Sequence, residues 1–183
     1  MRSRMLKQFS RAAVVGAALV AAIALGACRD TGKDTEGKLF EISGKIFVFN
    51  YRLARATYVV TLRPLQPMGD GQVAVASFQD PAGGAPLVVE QKVWPKLDKV
   101  SLESPALTCV VKNKPYAIAI SIKGSDGTIL QKIDTTLMST EDQSVLPDRP
   151  LVIDQLYTAN PDLVGHPDGK LPGEQKPDCS KAI

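Results

Sequence analysis

Residues 116–137 read YAIAISIKGSDGTILQKIDTTL, and this stretch decides the fold class. Tyr116, Ile118, Ile120 and Ile122 alternate with Ala117, Ala119 and Ser121. That two-residue period belongs to a strand with one face in a core. Gly124-Ser125-Asp126-Gly127 supplies residues that tolerate the positive φ of a tight hairpin. Ile129 to Leu137 then returns as the partner strand.

Upstream the same grammar repeats. Tyr58, Val60 and Leu62 share one face of an Ala56–Leu62 strand, opposite Thr57, Val59 and Thr61. Phe40 and Ile42, then Ile46 and Val48, alternate around Gly44, which predicts a bulge or kink there. Pro64, Pro67 and Gly69-Asp70-Gly71 mark a turn, and Asp80 to Pro86 a loop. Gln72 to Phe78 and Leu87 to Val93 are further strands, and Val100 with Leu102 predicts a short edge strand. Residues 139–144 have room for one helical turn, and no longer 3.6-residue period follows residue 28. The expectation is an all-β domain over 39–153: an antiparallel Ig-like sandwich or small barrel of about seven to eight strands. Residues 154–183, rich in Pro, Gly and Asp, are expected to form an irregular tail, extended or mobile, fastened only at Cys179.

The first 28 residues have a different character. Arg2, Arg4, Lys7 and Arg11 precede AAVVGAALVAAIALGA at 12–27. Sixteen residues at about 1.5 Å rise are too short for a hydrocarbon core of ~30 Å. A basic start, a short apolar run and small residues before a cut site make a secretory signal, here 1–27. Leu25-Gly26-Ala27-Cys28 resembles a bacterial lipobox, so Cys28 is expected to carry diacylglycerol and, on its new amine, a further acyl chain such as palmitate. More than one chain makes attachment durable. Arg29 rather than Asp points to the outer membrane, facing the periplasm. Residues 28–38 are the lipidated N-terminus and a polar tether, with an r.m.s. reach of roughly 17 Å.

Charge narrows the function classes. The formal charge of +3 depends on those four leading cations; without them eighteen positives face nineteen negatives. Nucleic-acid binding needs a basic patch on the folded part, and no nucleic-acid partner is expected. With Cys28 lipidated, Cys109 and Cys179 remain as an even pair in an oxidising compartment, which predicts a disulfide. It closes a loop of about 70 residues, worth roughly 4 kcal/mol in the chain-entropy model. The alternative is a buried apolar Cys109 with Cys179 free.

His166, the only histidine, reads as a solvated loop residue. No GxSxG elbow, GxxxxGK[ST] loop or GxGxxG turn occurs, and neither Asp70 nor Asp126 stands in calcium-loop spacing. Glu41, Glu90, Asp98, Glu103 and Asp134 read as solvent-face carboxylates. The reading therefore includes no catalytic residue, no metal and no cofactor. Tyr58 and Tyr116 read as core. Trp94, before Pro95, reads as a plug at the bottom of the core, with an exposed binding anchor as the alternative. Lys92, Lys96 and Lys99 read as a solvated edge that discourages strand addition, the alternative being lipid headgroups or an acidic partner.

Ser43-Gly44-Lys45-Ile46, Ala54 to Leu62, Asn113 to Ile122, Gly127 to Leu130 and Asp134-Thr135-Thr136 together resemble the YbaY-type family of small bacterial envelope lipoproteins. The resemblance runs from about Ile42 to Ile153, is poor over 63–108, and leaves out the tail with Cys179. It implies an Ig-like or sandwich domain on the cell envelope and transfers no catalytic residue. Related domains are sometimes linked with secretion-system assembly, which implies a partner-binding role. The expectation is thus a non-catalytic binding or assembly module on a lipid anchor, with an envelope protein as partner. Two alternatives stand beside it. One is a periplasmic inhibitor of a lysozyme-like enzyme, using Asp80 to Pro86; the other is a wall- or glycan-directed hydrolase.

Overall fold

A computed structural model describes residues 37–180 and 182. The expected signal 1–27, Cys28 and the expected tether as far as residue 36 lie outside the described residues. Seven strands follow in chain order: β1 Phe40–Asn50, β2 Arg55–Pro64, β3 Val73–Phe78, β4 Leu87–Lys92, β5 Val100–Glu103, β6 Pro115–Lys123 and β7 Ile129–Met138. They form two antiparallel sheets, β1-β2-β5 and β4-β3-β6-β7, a sandwich rather than a closed barrel.

Alternation makes the core. Tyr116, Ile118, Ile120 and Ile122 of β6 are buried, as are Tyr58, Val60 and Leu62 of β2 and Ala74, Ala76 and Phe78 of β3. The Tyr58 and Phe78 rings stack at 5.3 Å, and Phe47 packs 4.6 Å from Tyr58. Both buried phenols find partners. Tyr58 OH donates to the Gln79 carbonyl (3.1 Å), and Tyr116 OH accepts from the Val111 N–H (2.8 Å). Burial disfavours the phenolate and pushes both pKa values up.

Polar side chains join the two sheets along one side. Gln131 of β7 accepts from the Leu39 and Phe40 N–H groups and donates to the Phe40 carbonyl. Lys45 of β1 donates to Thr135 Oγ1 and to the Thr136 carbonyl. These contacts cover the unpaired edge of β7 with β1.

One expectation is met and two are corrected. The bulge at Gly44 is present, with the register slipping between Ile42 and Gly44. It changes the strand's phase. Phe40 points into the core before it, and Phe47 after it, while Ile46 and Val48 turn outward at 59% and 40% exposure. Trp94 is not a plug: it is 51% exposed, and its neighbour Val93 is the residue fully buried. The third concerns the tail. Residues 154–180 are irregular, but they run as a chain of turns with several fastenings besides Cys179. The single turn expected in 139–144 falls at Gln143–Val145, as 3-10.

The register also sorts the loops between two poles. Lys38, the 65–72 turn, the 93–99 loop and the 124–128 hairpin lie at one end. The β1–β2 turn, the 79–86 loop and residues 104–114 lie at the other, roughly 35 Å away along an eleven-residue strand.

Candidate interaction surface

The far pole is built where the β1–β2 turn meets the tail. Asn50 Oδ1 accepts from the Leu53 N–H (3.1 Å), and Ala54 at φ +49° closes the turn by donating to the Tyr51 carbonyl. The Leu151 N–H donates to the Arg52 carbonyl, docking the tail on this turn. A second, smaller hairpin follows, with Val152 bridged to Ala159 and the Ile153 N–H donating to the Thr158 carbonyl.

Asp154 organises the tip of this hairpin. Its carboxylate accepts from the Leu156 and Thr158 N–H groups and from Thr158 Oγ1 (2.6 Å). Those donors hold its pKa below the usual carboxylate value, the Thr158 hydroxyl contributing most. The geometry forces Tyr157 to φ +60°, a costly conformation for an aromatic residue that persists only where surrounding bonds impose it. The result is display. Leu156 is 87% exposed and Tyr157 62%. Tyr51, Leu53 and Ile153 are exposed around them, and the Arg52 guanidinium sits 5.3 Å from the Tyr157 ring centroid. Among the described residues Arg52 makes no ion pair, whereas Arg149 at the margin is held by Asp162 (2.8 Å) and Glu174 (3.2 Å). A concavity of about 890 Å³ lies between the turn and the tail.

A second concavity, about 760 Å³, lies on the outer face of β3, β6 and β7. Small residues floor it (Ser77, Ala117, Ala119), and the 80–86 loop walls one side. Asp80 and Asp134 both line it, and Asp80 Oδ1 accepts from the Ala82 N–H. The loop curls over Asp80 so tightly that a Cβ on Gly84 would lie 2.4 Å from its carboxylate. It forms a wall rather than a projecting finger.

The residues singled out in the sequence fall as follows. Cys109 and Cys179 are joined by a disulfide. Glu90, Asp98, Glu103 and Asp134 are exposed and Glu41 half-buried, Glu41 pairing with Arg63 and Glu103 with Arg55. His166 lies in a turn, its N–H donating to the Leu163 carbonyl. Among the described residues no three His, Cys, Asp or Glu side chains converge as metal ligands do. Sequence reasoning missed Arg52, Leu156 and Tyr157. The available signal was Asp154 and Thr158 enclosing two large apolar residues in an otherwise polar tail.

Neither a described protein family nor a curated protein matches the sequence. Among solved structures, 52% of the chain is similar to an endonuclease/exonuclease/phosphatase from Beutenbergia cavernae DSM 12333, at 18% identity and a TM-score of 0.28. A further likeness covers 56% of the chain, to OgpA from Akkermansia muciniphila, at 14% identity and a TM-score of 0.35. The chain spans 27% and 28% of those two proteins. Likenesses this loose carry no argument about activity.

Proposed function

We propose that this chain is a lipid-anchored protein of the bacterial envelope, attached through Cys28, whose sandwich is a non-catalytic binding module. Its resemblance to the YbaY-type family and its lipobox support the address, with the outer membrane facing the periplasm as the compartment. The observation that carries the binding role is the rigid display of Leu156 and Tyr157 beside Arg52. Such a group loses little freedom on docking, and aromatic-plus-Arg clusters dominate protein interfaces. The contact lies at the pole opposite Lys38, where the chain comes in from its anchor. The partner is therefore a protein standing off the anchoring membrane, with an apolar recess for Leu156 and Tyr157 and a carboxylate for Arg52.

A photoreactive residue at position 156, in intact cells, tests this. One adduct of constant mass is expected, absent when Tyr157→Ala or Arg52→Glu accompanies it. Equal, diffuse labelling from position 156 and from Thr128 at the opposite pole would reject the site. Processing tests the anchor separately: Cys28→Ser abolishes acyl labelling, and globomycin leaves precursor. The inhibitor reading moves to the 153–158 hairpin, the apolar projection that the 80–86 loop lacks. It requires slower wall lysis when the protein is added to a lysozyme-like enzyme.

A further inference from the structure

We propose that the pole around Trp94 rests on an anionic lipid surface. The inference rests on the anchor reading and adds an orientation to it. Val93 is fully buried and its N–H donates to the Gln72 carbonyl, so the start of the 93–99 loop is pinned to the core. Beyond that pin the loop turns outward. Trp94 and Leu97 are 51% and 47% exposed, joined by the Leu97 N–H donating to the Trp94 carbonyl. Across the same pole Ile129 and Leu130 are half exposed.

Lysines flank the tryptophan in sequence. Lys92, Lys96 and Lys99 stand against the single carboxylate Asp98 in this loop, and the Lys92 ammonium lies 4.2 Å from the Trp94 ring centroid. An indole among lysines is the composition that sits at the headgroup level of a membrane. Position supplies the second observation. Lys38, the second described residue, is at this pole, its carbonyl accepting from the Gln66 side chain. Only the nine residues 29–37 separate it from Cys28. A lipid on Cys28 therefore holds this pole, not the Tyr157 pole, against the bilayer. Electrostatic attraction to anionic lipid contributes about five-fold in partitioning per lysine near the surface.

Trp94 is the only tryptophan of the chain, so its fluorescence reports this loop alone. The full acylated protein is reconstituted into vesicles of phosphatidylcholine, with and without phosphatidylglycerol, each also containing brominated acyl chains. Sedimentation reads the anchor; Trp94 emission reads the face. The expected result is co-sedimentation with both vesicles, and a blue shift with bromine quenching that strengthens several-fold when phosphatidylglycerol is present. Lys92→Gln, Lys96→Gln and Lys99→Gln together should remove that increase without changing sedimentation or the circular dichroism spectrum. Co-sedimentation with Trp94 unshifted and still open to acrylamide would overturn the proposal and leave the anchor standing. Failure to sediment, with no spectral change, would overturn both. A shift produced by an acidic protein but by neither vesicle would assign the face to a protein partner instead.

Discussion

The sandwich and the tail are held together by different physics. From Phe40 to Met138 the strands bury alternate side chains, and most of the core residues lie there. From Ser139 onward the buried residues among those described are Ser139, Leu146, Pro147, Leu163 and Gly169, and only two of them carry a large aliphatic side chain. Polar contacts compensate. Lys170 donates to the Ser144 and Leu146 carbonyls, the Asp148 carboxylate accepts from the Leu171 N–H, and Arg149 joins Asp162 to Glu174. The disulfide adds a covalent fastening near the end. A segment too poor in apolar residues to form a core can still take one shape when its polar groups converge on a finished surface. The displayed hairpin sits in that second regime, so the candidate interface should come apart before the domain does.

The contrast can be broken at its stronger side first. Tyr58→Ala removes a fully buried ring from a stack of aromatics and should cost about 3–5 kcal/mol, enough to unfold much of the population. Urea titration followed by circular dichroism reads it as a lower midpoint. Alkali probes the same side. The unfolded chain ionises tyrosine near pH 10 while burial holds both folded phenols above that, so stability is complete below pH ~10 and falls as the pH rises beyond it.

Loss of the disulfide should come next. Cys109→Ser with Cys179→Ser removes a loop constraint of roughly 2–4 kcal/mol. Faster hydrogen exchange is expected over 154–180 while β2, β3 and β6 keep their protection; equal acceleration everywhere would mean tail and sandwich unfold as one. Gly169→Ala is smaller and purely local. A Cβ there would lie 2.5 Å from Pro147 Cβ, at φ +70°, and should cost about 1–2 kcal/mol of tail docking, seen as earlier proteolytic cutting after Lys170.

The smallest effect is on the displayed hairpin. Asp154 has its pKa lowered by its donors, so its ordering is complete above the ordinary value near 4 and is lost as the pH falls through the lower folded value. Asp154→Asn should reproduce that loss at neutral pH. Amide exchange at Leu156 and Thr158 would rise, crosslinking from position 156 would weaken, and the urea midpoint would stay in place.

Much of the sandwich was legible because alternation is a local property. The β6–β7 hairpin follows from Ile118, Ile120 and Ile122 and from Gly127, which takes φ +82°. The pairing of Cys109 with Cys179 followed from counting the thiols left once Cys28 is set aside as the expected lipidation site. The facing of β1 was harder. Gly44 announced a bulge, but which phase wins after it depends on Phe47 finding Tyr58 and Tyr116 across the core. Trp94 was ambiguous for the same reason: one of two adjacent large residues must enter, and Val93 is the one that fits.

The sequence by itself determined the strand grammar and the pairing of two cysteines, since each depends on residues close together or on a count. Tertiary structure decided the rest. It chose the phase of β1, turned Trp94 outward, and set the Lys38 and Tyr157 poles at opposite ends. It also brought Arg52 to Tyr157, a contact between residues more than a hundred positions apart. Such contacts come from chain closure and from the competition of side chains for one finite core, and no periodicity along the chain encodes their outcome.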